Sequence, residues 1–341
     1  MTQKNRQWLL KNRPQNHATP DDFEFNTTDI PDRELAENEI LVRHVVFLCA
    51  PTMRNWMDPP SNSLYPSIPL GQPVMAPSVG RVVKSGNPKI AEGARISTIG
   101  SWQDYELINT DQRPVLDIAE GLSFADAMGR FGLNSLTAYF GTLEVGQLKS
   151  GETMVVSGAA GSTGSVASQI GKIHGAKVIG IAGGSAKCDW LTETCGLDAA
   201  IDYKSENVAE RLHALCPDGI DVFYDNVGGE ILQAAVDNMA KFGRIVLCGQ
   251  ISSYDSGESP EGPRNMMRMV YGSVTMRGFL ARDFGRQFPE ALANIIKWTE
   301  QGKIIHRQDL REGFEQLPET YLSLFSGANN GTLLAKIADE D

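Results

Sequence analysis

The chain has 341 residues, and 42 acidic against 31 basic side chains give it a net charge of −11. A charge of this sign excludes bulk electrostatic binding to nucleic acid or to an anionic membrane surface. The length suits two domains rather than one core, and 41% hydrophobic with 21% charged residues is typical of a soluble protein.

Features that would direct the chain out of the cytoplasm are missing from the sequence. No apolar run approaches the ~20 residues of a membrane span, and the first residues lack the apolar segment of a secretion signal. The cysteines are scattered, which indicates reduced thiols rather than a disulfide framework; they are Cys49, Cys188, Cys195, Cys216 and Cys248. We therefore expect a cytoplasmic protein.

Residues 1–130 have the pattern of a β-rich domain. A strand is predicted at 40–48, shorter strands at 80–83 and 95–99, and prolines crowd the turns between them. This spacing, without alternating helices, is typical of a small, irregular, barrel-like antiparallel domain.

From about residue 123, helices and strands alternate, which predicts an α/β domain with a doubly wound parallel sheet. The predicted strands cover residues 154–156, 177–182, 199–203, 220–225, 243–249 and 274–280. The predicted helices cover residues 133–140, 166–174, 187–195, 208–215, 231–239 and 288–301. The tail has a helix at 318–327 and a strand at 333–337, and we expect it to pack against the first domain.

The turn after the strand at 154–156 carries a nucleotide-binding pattern. Ala159, Gly161 and Gly164 occupy the three glycine places of G-x-G-x-x-G, the dinucleotide fingerprint. Glycine lets a backbone approach a pyrophosphate closely, and the helix that starts at Ser162 and Thr163 would hold the phosphates with its free N–H groups. Taken alone, the pattern also fits an ordinary strand-to-helix connection.

The end of the next strand indicates which nicotinamide cofactor binds. An NAD-dependent enzyme places Asp or Glu there to bind the ribose 2′-hydroxyl. This chain instead has Gly183, Gly184, Ser185, Ala186 and Lys187, so no carboxylate repels a 2′-phosphate and a lysine is available to pair with it. The pattern favours NADPH; a solvated surface lysine is the alternative.

A long polar segment at 251–265 follows the strand at 243–249. Ligands bind beyond the C-terminal ends of strands in such sheets, and loops of this length are usually functional lids or disordered. The segment offers one phenol, Tyr254, as a hydrogen-bond donor to a substrate oxygen.

Six motifs along the chain are similar to those of a known family. They are residues 5–10 (NRQWLL), 136–141 (LTAYFG), 159–164 (AAGSTG), 201–204 (IDYK), 224–229 (YDNVGG) and 248–252 (CGQIS). The chain resembles the zinc-independent medium-chain dehydrogenase/reductases. Its subgroup is that of prostaglandin reductase, leukotriene hydroxydehydrogenase, plant alkenal double-bond reductases and bacterial curcumin reductase, and the resemblance covers nearly the whole chain.

The resemblance implies a fold and a reaction. The fold is a discontinuous, β-rich, GroES-like substrate domain, residues 1–130 and 301–341, flanking a Rossmann NADPH-binding domain, residues 131–300. The reaction is NADPH-dependent reduction of the carbon–carbon double bond of α,β-unsaturated ketones and aldehydes. Hydride would pass to the substrate β-carbon, while the protein orients the substrate and stabilises charge at its oxygen.

The resemblance also assigns roles to single residues. Lys187 and Tyr203 would contact the 2′-phosphate, Asn329 the cofactor, and Tyr254 the nicotinamide ribose and the substrate carbonyl, with Tyr65 in the substrate pocket. Tyr254 and Tyr65 are thus the catalytic candidates. The expected cofactor-binding residues are Ala159, Gly161, Ser162, Thr163, Gly164, Gly183, Lys187, Tyr203, Asn226, Cys248, Tyr254, Phe279 and Asn329.

The related alcohol dehydrogenases bind zinc, but this chain lacks most of their zinc ligands. Cys49 falls near their first ligand, but Ala76 to Gly80 replaces the Gly-His-Glu that supplies the second, and no four-cysteine lobe is present. Since a zinc site needs at least three converging N, S or O ligands, the sequence predicts no metal, with Cys49 as a buried apolar residue.

Two other functions are compatible with the same sequence motifs. Quinone reduction uses the same cofactor and a related fold, and a non-catalytic NADPH-binding protein would keep the same glycine turn. The expected partners are a small enone or enal and a second copy of the chain, as a homodimer.

Overall fold

The computed structural model describes residues 4–60, 66–255 and 262–340. Internal contacts divide the chain into an N-terminal unit, Met1–Arg130 with Gln308–Asp341, and a central unit, Phe131–Arg307. Each has its own hydrophobic clusters. The substrate-binding and NADPH-binding roles expected for the two domains stay predictions.

Fifteen strands are present among the described residues, and those of the central unit alternate regularly with helices. The strands are β1 (Lys4–Leu10), β2 (Phe23–Asp29), β3 (Glu39–Leu48), β4 (Met75–Ser85), β5 (Arg95–Ser101), β6 (Tyr105–Asn109), β7 (Leu116–Asp117), β8 (Thr153–Ser157), β9 (Lys177–Ala182), β10 (Ala199–Asp202), β11 (Ile220–Asp225), β12 (Met239–Leu247), β13 (Thr275–Gly278), β14 (Gln308–Glu312) and β15 (Thr332–Lys336).

The helices are mostly short. They are α1 (Met53–Trp56), α2 (Phe124–Met128), α3 (Leu133–Phe140), α4 (Ser162–Ile173), α5 (Ser185–Asp189), α6 (Val208–Leu215), α7 (Gly229–Asp237), α8 (Ile251–Tyr254), α9 (Met266–Gly272), α10 (Phe288–Glu300) and α11 (Leu317–Leu322). α3 and α5 each continue into a π-helical turn, Gly141–Val145 and Trp190–Thr194.

The central unit is a parallel sheet with strand order β10-β9-β8-β11-β12-β13. In sequence order this is 3-2-1-4-5-6, the Rossmann arrangement, whose order reverses between β8 and β11. The apolar side chains of β9 are buried on both faces, as parallel strands between helix layers require. The predicted doubly wound α/β domain is confirmed.

The described N-terminal unit is built on an antiparallel sheet with strand order β14-β15-β3-β4-β5-β7, while β6 also pairs with β3. β15 pairs antiparallel with β3, with Leu334 opposite Leu48, and β14 pairs parallel with β15. The C-terminal tail therefore completes the sheet of the first 130 residues, which confirms the predicted discontinuous β-rich domain.

β4 and the start of β12 differ from the predicted elements. β4 is longer than the predicted 80–83 because Pro77 and Ser78, which look like turn residues, are buried inside the strand. Met239 belongs to β12 rather than to the preceding helix, since the Asn238 side chain caps the Ala234 carbonyl at 2.8 Å and Met239 then pairs with Ile220.

The predicted polar loop at 251–265 is not all loop. It opens as α8, whose first N–H, that of Ile251, donates to Asn226 O at 3.2 Å. Residues 256–261 lie outside the described residues. None of the described helices combines the length and apolar character needed to cross a membrane.

Candidate cofactor site and active site

The fingerprint turn between β8 and α4 depends on two glycines. Gly158 has φ +59°, a left-handed conformation that L side chains rarely adopt. A Cβ on Gly164 would overlap Gly158 O, so only glycine lets α4 begin against this turn. Gly164 thus fulfils the packing role of the third fingerprint glycine, while Gly158 was not among the expected site residues.

Gly161 differs from these two. It has φ −81° and ψ 176°, extended backbone that any residue adopts, and a Cβ there would lie 3.2 Å from Gly158 O. The fold therefore does not demand glycine at this position. The absence of a side chain leaves the backbone open to a ligand, which fits the predicted close approach of a pyrophosphate.

The start of α4 is suited to an anion. Its N-cap is Gly161, which has no side chain to occupy the first N–H groups, and its first turn holds no acidic residue. Ser162 and Thr163 lie in that turn, and Asn134 Nδ2 donates to Ser162 Oγ at 2.8 Å. The positive end of this twelve-residue helix matches the phosphates of a dinucleotide.

Ala159 joins the turn to the neighbouring strand. Its N–H donates to Ile181 O at 3.0 Å, and its methyl group is buried against Gly180, where a Cβ would lie only 2.9 Å away. Alanine in the first fingerprint place therefore fills space between β8 and β9.

Gly183 and Tyr203 lie in direct contact at the carboxyl ends of β9 and β10. A Cβ on Gly183 would come within 2.9 Å of the Tyr203 hydroxyl, so glycine is what allows the ring to lie over this turn. Tyr203 is 49% exposed. The structure thus brings together Gly183 and Tyr203, with Lys187 on α5 immediately beyond them.

Asp202 fixes this arrangement and was not among the expected site residues. Its Oδ1 accepts the Gly184 N–H at 2.7 Å and the Lys204 N–H at 3.0 Å, and its Oδ2 accepts the Ser205 hydroxyl at 2.9 Å. These bonds, with that to Gly184 the largest influence, lower the pKa of Asp202 below its usual range. The carboxylate is therefore committed to the backbone around Tyr203.

Lys187 lies half-buried among other cations. Burial is the largest influence that lowers its pKa below the usual 10.5, followed by the charges of Lys204 and Arg307. Cationic groups that gather in this way are stabilised by an anion. The local charge therefore fits the 2′-phosphate expected here.

A buried hydrogen-bond network joins β8 to β11 where the strand order reverses. Ser157 Oγ donates to Asp225 Oδ1 at 2.7 Å, and Asp225 also accepts the N–H groups of Val227 and Gly228 at 3.0 and 3.1 Å. Asn226 Nδ2 donates to Ser157 O at 2.7 Å. Despite these bonds, burial raises the pKa of Asp225 above its usual range.

Tyr254 reaches the same edge of the sheet. Its hydroxyl accepts the Gln250 N–H at 3.0 Å, and a Cβ on Gly249 would lie 3.2 Å from that hydroxyl and 3.4 Å from Asn226 O. Asn226 in turn lies against the fingerprint turn, with its Cβ 3.5 Å from a Cβ built on Gly158. The structure therefore brings Tyr254 and Asn226 together with the predicted phosphate-binding turn.

Two expected cofactor-binding side chains, Cys248 and Phe279, are partly buried and pack against the core of the central unit. Burial raises the pKa of the Cys248 thiol to about 11, and the thiol hydrogen-bonds Tyr224, whose hydroxyl donates to Thr137 O at 3.0 Å. The Phe279 ring lies against Gly141, 2.7 Å from where a Cβ would be. Cofactor contacts at these positions stay predictions.

The other two expected residues lie outside the central unit. Asn329 Nδ2 donates to Gly331 O at 2.8 Å, and the neighbouring Asn330 N–H donates to Asp309 Oδ2 at 3.2 Å. Tyr65 lies outside the described residues. The functional roles of both remain predictions.

Metal ligands do not converge in the described residues, where no group of three or more His, Cys, Asp or Glu could hold an ion. Cys49 is buried, and burial raises the pKa of its thiol to about 12. The absence of a metal site stays a prediction.

Comparisons with known proteins agree with this geometry. Residues 6–115 match the family described as "N-terminal domain of oxidoreductase", and residues 162–297 match "Zinc-binding dehydrogenase". The chain is 35% identical to the NADPH-dependent curcumin reductase of Escherichia coli, with 99% of each chain covered. It is 34% identical to prostaglandin reductase 1 of Bos taurus, covering 96% of this chain and 98% of the relative.

A solved structure extends the likeness to the whole fold. The crystal structure of CurA in complex with NADPH, from Vibrio vulnificus, superposes with a TM-score of 0.90 at 34% identity, covering 98% of this chain and 99% of the other. A likeness of this extent includes both units and their order along the chain.

Proposed function

This chain belongs to the medium-chain dehydrogenase/reductase superfamily, in the subgroup of curcumin, prostaglandin and alkenal reductases, and we propose that it reduces the conjugated C=C bond of α,β-unsaturated ketones and aldehydes with NADPH. The observation that carries the proposal is the contact series Tyr254–Gly249–Asn226–Gly158. It sets a phenol beside the dinucleotide turn at the carboxyl edge of the sheet, where ligands of Rossmann domains bind.

NADPH is supported by the residues that would hold it. The α4 N-terminus offers uncapped N–H groups to the pyrophosphate, and Lys187 and Tyr203 lie at the end of the second strand. The one nearby carboxylate of β10, Asp202, is bonded to the backbone and to Ser205. The Asp202 carboxylate would therefore not face a 2′-phosphate as a free acid.

The reaction requires the protein to orient the substrate and to stabilise the negative charge that develops at the substrate oxygen. Bound NADPH would supply a hydride to the β-carbon of the substrate, and the enolate that results would take a proton at its α-carbon, from Tyr254 or from water. Tyr254 receives a hydrogen bond from the Gln250 N–H, which orients its hydroxyl. Because a tyrosine hydroxyl is protonated at neutral pH, it would donate to the carbonyl oxygen as negative charge develops there, the role of an oxyanion-hole donor.

A homodimer is supported by the edge of the central sheet. β13 is the outermost strand of that sheet among the described residues. The helix before it, α9, exposes Met266, Met267, Val270 and Tyr271 at 51–79% of their surface. Such a patch beside an open strand suits a second copy. Sedimentation at micromolar concentration should give a dimer, and Val270→Lys should shift it towards monomer.

A cytoplasmic location is supported by the thiols. All five cysteines are free, as expected in a reducing compartment. Fractionation of cells that express the chain would test this location, with recovery in the cytosolic fraction as the expected result.

Three functions are separated by one assay of NADPH consumption. The purified protein is supplied with NADPH and a small enone, a quinone, or no acceptor. The proposal predicts turnover with the enone that exceeds turnover with the quinone. Preferred reduction of the quinone would favour the quinone reductase, and no consumption above the acceptor-free rate would favour a non-catalytic NADPH-binding protein.

A further inference from the structure

The Asn134 side chain joins the start of α3 to the start of α4. Its Nδ2 donates to Ser162 Oγ at 2.8 Å. Ser162 is the first residue of α4, directly after Gly161, and Asn134 is the second residue of α3. The Asn134 amide therefore lies at the end of α4 where the diphosphate of a dinucleotide is expected to bind.

The start of α3 is held in place by the central sheet. The hydroxyl of Tyr224, a fully buried residue of β11, donates to Thr137 O at 3.0 Å. Gly141 allows α3 to approach this ring, because a Cβ at that position would lie 2.5 Å from Tyr224. Thr137 follows Asn134 by three residues, so the two are neighbours on the helix surface. The bond to Thr137 thus fixes the turn of α3 that carries Asn134.

The Asn134 amide has a donor to spare. A side-chain amide has two N–H groups, and Ser162 Oγ accepts one of them. The other makes no hydrogen bond to any residue that the structure describes. Because Asn134 is only partly buried, this second N–H is accessible to a ligand.

The two helix starts beside this donor favour a negatively charged ligand. The N-caps of α3 and α4 are Gly132 and Gly161, which have no side chain to bond the first N–H groups, and neither helix has an acidic residue in its first turn. The positive ends of both helices therefore lie at the Asn134–Ser162 contact, without a carboxylate from either first turn to offset them.

We propose that Asn134 is a further cofactor-binding residue, whose second amide N–H donates to the diphosphate of NADPH. NADPH and NADH share the diphosphate, so Asn134 should act alike on both cofactors, whereas Lys187 should act on NADPH alone. The inference rests on the proposed function, because it takes NADPH to be the cofactor.

The test is calorimetric titration of three ligands into the wild type and two variants. The ligands are NADPH, 5′-ADP, which has a diphosphate but no 2′-phosphate, and 2′-AMP, which has the 2′-phosphate but no diphosphate. Asn134→Ala removes the donor and should raise the Kd for NADPH and for 5′-ADP by about three- to ten-fold. Asn134→Asp replaces the donor with a negative charge and should raise both by about ten- to a hundred-fold. The Kd for 2′-AMP should change by less than about two-fold in either variant, since 2′-AMP has no diphosphate.

Asn134→Asp also separates ligand binding from a structural role. An acidic residue in the first turn stabilises a helix, so the free energy of unfolding in urea should not fall in this variant. Gln301→Glu is the matched control. It adds the same charge at an exposed position after α10, near Trp298, whose ring lies 5.8 Å from that of His174 at the opposite end of α4. It should leave the Kd values of all three ligands unchanged.

Wild-type affinity for 5′-ADP and NADPH in Asn134→Asp would overturn the inference. An equal loss of affinity for all three ligands would overturn it too, because Asn134 would then support the unit as a whole. The proposed function fails separately. A wild type that binds NADPH but reduces no enone contradicts the proposed reaction and leaves the role of Asn134 intact.

A measurement on the unaltered protein covers the case in which a variant fails to fold. In a crystal structure of the wild type with NADPH, Asn134 Nδ2 should lie within about 3.2 Å of a diphosphate oxygen. Any longer distance, with or without a bridging water, contradicts the inference.

Discussion

The Ser157 hydroxyl donates to the Asp225 carboxylate at 2.7 Å, across the point where the strand order of the central sheet reverses. Both side chains are fully buried. Through Asp225 this bond fixes the backbone N–H groups of Val227 and Gly228, and Ser157 Oγ also accepts the Asn226 N–H at 2.8 Å. Hydrogen bonds therefore connect the C-terminal ends of β8 and β11, which flank the predicted position of the nicotinamide.

Ser157→Ala tests this tie. The variant leaves a buried carboxylate without one of its donors and a buried N–H without its acceptor, so unfolding free energy should fall by about 1–3 kcal/mol. Ser168→Ala is the matched control: Ser168 is also fully buried, but its hydroxyl only donates to Gly164 O within α4. Urea unfolding measures both, and a Ser157 loss no larger than that of Ser168 would show that the network adds nothing.

Gly161 and Gly164 should respond differently to alanine. At Gly164 the new methyl overlaps Gly158 O, so the turn must move and stability should fall by about 1–3 kcal/mol. At Gly161 a Cβ lies 3.2 Å from the same oxygen, a contact that a small shift relieves. Gly161→Ala should therefore fold nearly as well as the wild type but bind NADPH more weakly. Urea unfolding measures the stability of each variant, and titration measures its affinity for NADPH. The prediction is wrong if both variants lose stability and neither loses affinity.

Lys187→Ala should weaken NADPH binding by about ten- to a hundred-fold, the loss of a charge-assisted contact to phosphate, and NADH binding by little. Lys177→Ala, at the opposite end of the β9–α5 segment, should change neither affinity, because Lys177 only donates to Leu215 O. Fluorescence titration of both cofactors measures the effect. Equal loss of NADPH and NADH would assign Lys187 to the fold instead.

The preference for NADPH should also depend on pH. Burial, then Lys204 and Arg307, lower the pKa of Lys187 below 10.5. Its positive charge is therefore lost at a lower pH than that of an exposed lysine. The ratio of NADH Kd to NADPH Kd should fall as pH rises towards that pKa, and in Lys187→Ala this alkaline fall should be absent.

Periodicity identified the parts of the fold that depend on local sequence. β9 and β11 have the predicted ends, because each is a run of β-branched and aromatic residues buried on both faces. β1 and β14 were missed, since their polar residues carry no such signal. Met266–Gly272 was missed because its apolar residues face outward rather than forming a buried stripe.

The candidate site divides in the same way. The glycine turn and Lys187 could be predicted because they occupy fixed places in a local sequence motif and in the segment that follows it. The Ser157 and Asp225 side chains bond each other between β8 and β11, and Asp202 at the end of β10 accepts the Gly184 N–H beyond β9. No local pattern shows which strands meet. The polar serine that ends the apolar strand β8 was the one local signal that a network lay there.

Tyr254→Phe removes the phenol and keeps the ring. Turnover of a small enone should fall by about ten- to a thousand-fold, as for the loss of an oxyanion donor. NADPH affinity should stay within a few-fold, because the phosphate-binding residues are untouched, unless the phenol also holds the nicotinamide ribose. Tyr271→Phe, at an exposed tyrosine of α9, is the control. Unchanged turnover in Tyr254→Phe would show that a group other than the Tyr254 hydroxyl donates a hydrogen bond to the substrate oxygen.

The proposed reaction itself is tested most directly by following the hydride. The protein is incubated with an enone and NADPH that carries deuterium at the transferable C4 position of the nicotinamide, and the product is analysed by NMR and mass spectrometry. Conjugate reduction predicts the saturated ketone with deuterium on the carbon that was β to the carbonyl. An allylic alcohol with deuterium on the former carbonyl carbon would contradict it.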